Sequence, residues 1–121
     1  MGSYNKRQVG AEYEKRAEQF LCKEGILILE RNFRCRQGEI DLIGKHQNCL
    51  VFVEVKYRSS NQAGLPEEAV GIAKQKRICR VAEFYLYTHP QYGNCMIRYD
   101  VVAIAGNQLR WYPGAFEHVR G

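Results

Sequence analysis

The run from Leu50 to Arg58 constrains this chain more than any other segment. It has the aliphatic and aromatic content of a buried β-strand, yet it carries Glu54 and Lys56 where packing alone would favour apolar side chains. Because side chains alternate between the two faces of a strand, Glu54 and Lys56 share one face, roughly 6–7 Å apart along the chain. The three valines of the run share the other face. Charge in such a strand is tolerated only where something compensates for it.

The segment just upstream repeats this pattern. Glu39 and Asp41 are predicted on one face of a second strand, and Ile40 and Leu42 on the other. Only a polar connection, residues 44–48, separates this strand from the run described above. A hairpin can therefore bring the carboxylate of the second strand next to that of the third.

Asp41 and Glu54 together predict a metal site. Two carboxylates on neighbouring strands are hard oxygen ligands of the kind that Mg²⁺ or Mn²⁺ takes, with water and phosphate oxygens completing the shell. Lys56 would hold an attacking water and stabilise the negative charge that develops during attack on a phosphate. The alternative is that these groups form ordinary salt bridges on a solvated sheet face.

Two helices are predicted around these strands. Apolar residues recur at helical spacing over residues 5–24, and Glu12 lies at the border of that stripe, where it is either solvated or leans into a site beside the helix. The second helix is predicted over residues 65–87. Its Lys74 falls in the middle of the apolar stripe, which is costly unless a carboxylate or a phosphate meets the ammonium group.

The order of elements predicts an α/β fold with one mixed sheet of about five strands flanked by helices, in the order α-β-β-β-α-β-β. The first three strands should form an antiparallel meander. Besides the strands named above, strands are predicted within residues 26–34, over 95–104 and over 109–112, with Pro113 ending the last one and a short helical turn in the tail.

Composition limits the class of protein. A length of 121 residues predicts a single domain, 1–121, and 45% hydrophobic with 26% charged residues is typical of a soluble globular chain. No apolar run approaches a membrane span, so we expect a cytoplasmic protein, and its five unpatterned cysteines are expected to be free thiols. The net charge of +5 suits a polyanionic partner, and four cations without an acid lie between Lys74 and Arg80.

Several blocks of the sequence match a known family. They are Gly10-Ala11-Glu12, Arg31-Asn32-Phe33-Arg34, Gly38 to Ile43, Phe52 to Arg58, Ala69-Val70 with Lys74, and Arg98 to Val102. Through these blocks the chain resembles the YraN family, small proteins of the restriction-endonuclease-like superfamily that are similar to Holliday-junction resolvases. The superfamily pattern is PD-(D/E)-x-K, and Ile40 stands where its proline would be.

The resemblance implies roles for individual residues. Asp41 and Glu54 would bind the metal, Lys56 would act on the water and the transition state, and Glu12 would be a first-helix carboxylate like that of archaeal Holliday-junction resolvases. Lys74 lies where related nucleases carry a supporting polar residue. The resemblance implies a nuclease-type fold and nucleic-acid binding.

The leading hypothesis is therefore a Mg²⁺- or Mn²⁺-dependent endonuclease that hydrolyses phosphodiester bonds of DNA, branched or otherwise structured. The residues expected to engage the nucleic-acid backbone are Arg58, Lys74, Lys76, Arg77 and Arg80. The alternative is a non-catalytic nucleic-acid-binding module on the same scaffold. A protein-interaction domain, using the aromatic residues near the C-terminus, is a third reading. A homodimer would suit cutting of both strands of a junction, but no residue fixes the oligomeric state.

Overall fold

Two helices and five strands form in the predicted order. The structure, a computed structural model, describes residues 6–58 and 70–120, apart from the side chain of Lys6. The helices are α1 (Lys6–Lys23) and α2 (Ile72–Thr88), and the strands are β1 (Leu27–Cys35), β2 (Gly38–His46), β3 (Cys49–Arg58), β4 (Met96–Ala105) and β5 (Gln108–Phe116), with a 3₁₀ turn at Pro90–Tyr92. β3 begins directly after the predicted 44–48 connection and ends at Arg58, as predicted.

The five strands form one mixed sheet in the order β1-β2-β3-β4-β5. β1, β2 and β3 are an antiparallel meander, β3 and β4 are parallel, and β4 and β5 are antiparallel. A parallel pair needs a crossover connection, and α2 lies in the segment that joins β3 to β4. The predicted α/β fold, its order of elements and the antiparallel meander of the first three strands are confirmed.

The sheet has a buried cluster of side chains on each face. The valines of β3 pack with Leu42 of β2 and with Ala17 and Leu21 of α1. Phe52 of β3 packs on the other face, against the buried stripe of α2 that includes Tyr85. β3 is therefore the central strand between two helices, and any polar side chain it carries must find a partner from α1 or α2.

The second helix begins later than predicted. Val70 and Gly71 are described and are not helical, and α2 starts at Ile72 with Gly71 as its N-cap residue, at φ −59° and ψ 151°. The extended backbone of the glycine stops the helix from continuing toward the N-terminus. The predicted start, residues 65–69, lies outside the described residues.

β5 and the tail also depart from the prediction. Pro113 does not end β5, which continues to Phe116, because β5 is an edge strand with an irregular register between Tyr99 and Val101 of β4. An edge strand accommodates a proline at such an irregularity without losing a ladder hydrogen bond. Residues 117–120 form no helical turn.

The connection between β2 and β3 is tighter than the predicted five-residue loop. Only Gln47 and Asn48 form the turn, and Gln47 has a φ of 56°. Gly44 instead lies within β2, where a Cβ atom would come within 2.6 Å of the Ile26 side chain. The glycine therefore serves close packing within the sheet rather than the turn.

All five cysteines are free thiols, as predicted. No helix in the described part of the chain is long and apolar enough to cross a membrane.

Candidate metal and nucleic-acid site

The sheet opens where β2 and β3 separate. Their ladder runs from His46 and Cys49 to Leu42 and Val53 and stops there. Beyond that point β2 stays paired with β1, and β3 stays paired with β4. Asp41 is the first residue of β2 past the end of the ladder, so the divergence of the two strands leaves a space at its side chain.

That space is a cavity of about 500 Å³, which we call the carboxylate pocket. Both helices and the first three strands contribute to its walls. The charged and aromatic residues that line it are Arg7, Glu14, Arg34, Glu39, Asp41, Glu54, Tyr57 and Lys74.

Asp41 replaces part of the missing ladder. Its Oδ2 accepts a hydrogen bond of 2.7 Å from the backbone N–H of Val55 in β3. Ile40 packs in the cluster under α2 and Leu42 in the cluster under α1, so the two do not share a face as predicted. The regular alternation fails at Asp41 because β2 bends away from β3 there, and the carboxylate spans the gap.

Glu54 meets a cation from α2. The residue is 8% exposed, and its Oε2 forms a salt bridge with the Lys74 ammonium group. A carboxylate does meet the Lys74 ammonium group, one of the two partners expected. Lys74 is exposed, however, and does not lie in the buried stripe of α2 as predicted, because its ammonium group reaches Glu54 at the open pocket. The pair links α2 to β3 at the pocket.

Glu14 of α1 is a third carboxyl group in the pocket. It forms side-chain hydrogen bonds with Asn32 and Asp41, and burial raises its pKa above the ordinary glutamate value. The negative charges of Glu39 and Glu54 add to this rise. Glu14 therefore contributes to the crowding of carboxyl groups in the pocket.

Asp41 is the most strongly perturbed acid of this group. Burial, and then the charges of Glu54 and Glu14, raise the pKa of Asp41 to about 8, although the Val55 N–H and the Lys74 charge act in the opposite direction. The carboxyl groups are thus crowded beyond what the neighbouring lysine compensates. Such crowding is typical of sites that receive a cation.

The donor set fits a hard divalent ion. No group of three or more carboxylate, imidazole or thiol side chains in the described ranges, 6–58 and 70–120, is arranged to hold a metal by itself. Mg²⁺, however, is commonly held by one or two carboxylates and retains several waters. Asp41 and Glu54 supply that number of carboxylates from adjacent strands, and the perturbed pKa of Asp41 shows where additional positive charge would be stabilising.

Glu12 does not line the pocket, and Glu14 does. Glu12 is exposed on α1. Two residues along a helix are about 200° apart around its axis, so the two acids face nearly opposite directions. Glu14 precedes Ala17 and Leu21 by three and seven residues, which aligns it with the buried stripe, and this spacing was the signal available in the sequence.

Lys56 lies two residues after Glu54 on β3 and is half-buried. It does not line the carboxylate pocket. Its role toward an attacking water stays a prediction.

The five residues predicted to bind the nucleic-acid backbone differ in exposure and in pairing. Arg58, Lys76 and Arg77 are exposed, whereas Lys74 pairs with Glu54. Arg80 pairs with Glu83, at 2.9 Å between Nε and Oε1, and donates to the carbonyl of Val119 in the tail. The internal pairing of Arg80 makes it the least suited of the five to meet a phosphate.

Two further arginines, which no sequence pattern had indicated, line the pocket. Arg7 extends from the first turn of α1, and Arg34 from β1, where its Nε lies 3.4 Å from an oxygen of Glu39. They come from segments distant in sequence from Glu54, so no local pattern connected them to the site.

Asp100 is structural. Arg98 donates to it from two nitrogens, at 2.8 and 3.0 Å. It also accepts hydrogen bonds of 2.9 Å from Trp111 Nε1 and from the backbone N–H of Gly114. This fully buried carboxylate therefore fixes the irregular end of β5 to β4 and has no capacity left for a ligand.

Comparison with known proteins assigns the family. The family model described as "Uncharacterised protein family UPF0102" matches residues 13–104. A UPF0102 protein of Caldicellulosiruptor saccharolyticus is 48% identical over 103 residues, which cover 85% of this chain and 86% of the relative. One from Lachnoclostridium phytofermentans is 42% identical over 113 residues, covering 93% and 96%. The chain thus belongs to the UPF0102 family, which is the YraN family that its motifs indicated.

Proposed function

We propose that this protein is a divalent-metal-dependent endonuclease that hydrolyses phosphodiester bonds of nucleic acid, with DNA as the favoured substrate. The observation that carries the proposal is the gathering of Asp41, Glu54 and Glu14 in one pocket, where burial and then the neighbouring carboxylates raise the pKa of Asp41 to about 8. A divalent cation relieves this crowding, and a phosphate oxygen is a natural further ligand of such a cation.

Asp41 and Glu54 would hold the ion, which we propose to be Mg²⁺ or Mn²⁺. When bound, the ion supplies Lewis-acid polarisation of a phosphate oxygen and lowers the pKa of water. Glu14 lies beside Asp41, burial raises its pKa, and we propose it as the group that takes up or releases a proton at the pocket. Lys74 orients Glu54 through their salt bridge, and we retain Lys56 as the candidate that orients the water.

Basic residues around the pocket suit a polyanion. Arg7 and Arg34 line the walls, and Lys76 and Arg77 are exposed on α2, the helix that carries Lys74. With a net charge of +5, contacts of this kind would bind the phosphate backbone without reading sequence. The five free thiols suit a reducing compartment, and we place the activity in the cytoplasm.

Titration calorimetry with Mn²⁺ tests the metal site without a substrate. We expect the wild type to bind Mn²⁺, and Asp41→Asn to weaken binding at least about tenfold because one anionic oxygen ligand is lost. The matched control is Glu117→Gln, which removes a carboxylate that is exposed after β5. Equal affinity of the wild type and Asp41→Asn would contradict the proposed ligands.

Cleavage is tested with labelled single-stranded, duplex and branched DNA in Mg²⁺ or Mn²⁺. Asp41→Asn and Lys56→Ala should abolish product formation, whereas Glu117→Gln should not alter it. Products formed equally by the wild type and by both site variants would point to a contaminating nuclease and would remove the support for hydrolysis.

A second candidate function is a nucleic-acid-binding module without catalysis. The salt bridge between Lys74 and Glu54 favours it, because it compensates Glu54 without any metal. This candidate predicts nucleic-acid binding that weakens steeply with salt, no Mn²⁺ binding and no products on any of the three DNA forms. Metal-dependent products lost in Asp41→Asn would exclude it.

A further inference from the structure

We propose that Tyr57 forms a stacking site for an unpaired nucleobase beside the carboxylate pocket. The substrate class would then be nucleic acid with at least one unpaired nucleotide next to the phosphate that is hydrolysed, rather than continuous duplex. This inference rests on the proposed function, since it places the base relative to the proposed metal ligands.

Tyr57 lies on β3 three residues after Glu54, and its side chain lines the same pocket as Asp41. The residue is 41% exposed, unlike the buried tyrosines 85 and 99, which are 1% and 2% exposed. A large aromatic ring thus borders a pocket whose other walls are mainly charged. Single-stranded nucleic acid binds where a base can stack on an aromatic ring while cations meet the phosphates. Arg7 and Arg34 are cations that line the same pocket as Tyr57.

Contacts with α1 support the ring of Tyr57. Tyr13 of α1 stacks on it with ring centroids 4.5 Å apart and an interplanar angle of 15°. The hydroxyl group of Tyr13 donates a hydrogen bond of 3.1 Å to the carbonyl of Arg58, and the Arg16 guanidinium lies 5.4 Å from the Tyr13 ring centroid. The exposed ring is therefore preorganised, which reduces the entropy lost when a base stacks on it.

A glycine in α1 makes room for this ring. A Cβ atom at Gly10 would lie 3.1 Å from the Tyr57 hydroxyl oxygen and 3.8 Å from the ring carbon that bears it. Glycine inside a helix is less favourable than alanine because it loses more backbone entropy on folding. The sequence nevertheless has glycine where α1 passes the phenol of Tyr57, which suits a ring held in one position at the pocket.

Packing of α1 on β3 is the competing explanation for the Tyr13–Tyr57 stack. That role requires an apolar contact but no exposed ring face, and leucine would retain much of the contact. Phenylalanine would retain both the contact and the stacking surface. The two substitutions therefore separate packing from base stacking.

The test uses oligonucleotides that carry 2-aminopurine, whose fluorescence is quenched when it stacks. Binding is measured for single-stranded and fully paired forms in Ca²⁺ and again in EDTA. The proteins are the wild type, Tyr57→Phe, Tyr57→Leu and the control Tyr87→Leu, which alters a tyrosine that is 85% exposed on α2. Thermal unfolding of each variant reports whether it is folded.

We expect the wild type and Tyr57→Phe to quench the probe and to prefer the single-stranded form. Tyr57→Leu should lose the quenching and about tenfold in affinity for that form, while Tyr87→Leu behaves as the wild type. Unchanged quenching in folded Tyr57→Leu, or no quenching by the wild type, overturns the stacking site. Parallel DNA and RNA oligonucleotides show which sugar is accepted.

Failure of this inference is distinguishable from failure of the proposed function. If the wild type quenches the probe through Tyr57 but yields no products in Mg²⁺ or Mn²⁺, the stacking site stands and hydrolysis is wrong. If Tyr57→Leu cleaves single-stranded and duplex DNA at wild-type rates, hydrolysis stands and the stacking site is wrong.

Discussion

Asp41 concentrates the chemistry of the pocket in one carboxyl group. It accepts a hydrogen bond from the Val55 amide, which favours the ionised form, yet burial and the neighbouring acids Glu54 and Glu14 disfavour that form more strongly. The site thus contains a carboxyl group that is difficult to ionise in the folded protein. The free-energy cost of ionising it can be measured without knowledge of any ligand.

The raised pKa of Asp41 predicts a pH-dependent stability in metal-free solution. The unfolded carboxyl group ionises near its ordinary pKa of 3.8, whereas the folded one ionises at about 8, so the unfolded state binds fewer protons between these values. The free energy of unfolding should therefore fall as the pH rises from about 4 to 8. Asp41→Asn should remove most of this fall and be more stable than the wild type at pH 8, on the order of 2 kcal/mol.

Urea denaturation in EDTA at pH 4.5, 6 and 8 checks this prediction. Glu117→Gln is the control, since that carboxylate is exposed. Parallel pH curves for the wild type and Asp41→Asn would mean that Asp41 ionises normally in the folded protein.

At the scale of secondary-structure elements, the pocket depends on how α1 and α2 attach to the two faces of the sheet. α2 is fixed at the pocket by Lys74 and Glu54, and α1 brings Glu14 and the support for Tyr57. The separation of β2 from β3 leaves space between these helices. The carboxylates meet because α1 lies beside the point where β2 and β3 diverge.

The Lys74–Glu54 salt bridge should show measurable coupling. We expect Lys74→Met to destabilise the fold by about 1–2 kcal/mol, because Glu54 stays nearly buried without its cation. Adding Glu54→Gln should restore much of this loss. A double-mutant cycle by urea denaturation at pH 7 measures the coupling energy, with Lys76→Met as a control for loss of an exposed lysine on the same helix. Additive effects of the two changes would indicate that the salt bridge does not fix α2.

Across the whole molecule, internal pairing changes which basic residues are available to a polyanion. Arg80 is paired with Glu83 and with the tail, whereas Lys76 and Arg77 are exposed. Arg7 and Arg34 come together at the pocket from α1 and β1. The surface available to a polyanion thus depends on pairing within the fold as much as on net charge.

The salt dependence of DNA binding tests this distribution. Removing an arginine that neutralises a phosphate should reduce the slope of log affinity against log salt by about 0.7–0.9. We expect this change for Arg77→Gln and not for Arg80→Gln, which should instead lower the thermal stability by loss of its internal contacts. Fluorescence anisotropy between 50 and 300 mM salt provides the slopes. A reduced slope in Arg80→Gln alone would reverse the assignment.

Local sequence patterns predicted the elements and the contacts between segments that are close along the chain. Periodicity predicted β3 and the order of elements, and the hairpin predicted that Asp41 and Glu54 lie on neighbouring strands. Helical spacing also predicted that Lys74 needs a carboxylate or a phosphate as a partner. These features follow from alternation and helical spacing, which act over a few residues.

Only the tertiary structure decided what converges on the pocket. It placed Glu14 rather than Glu12 beside Asp41, brought in Arg7 and Arg34, and turned Arg80 toward the tail. α2 starts at Ile72 because the extended backbone of Gly71 precedes it. β5 continues past Pro113 because its pairing with β4 is irregular there, which overrides the tendency of proline to end a strand. Packing between distant segments decides which face of a helix meets a sheet and where two strands separate. Local sequence patterns do not contain that information.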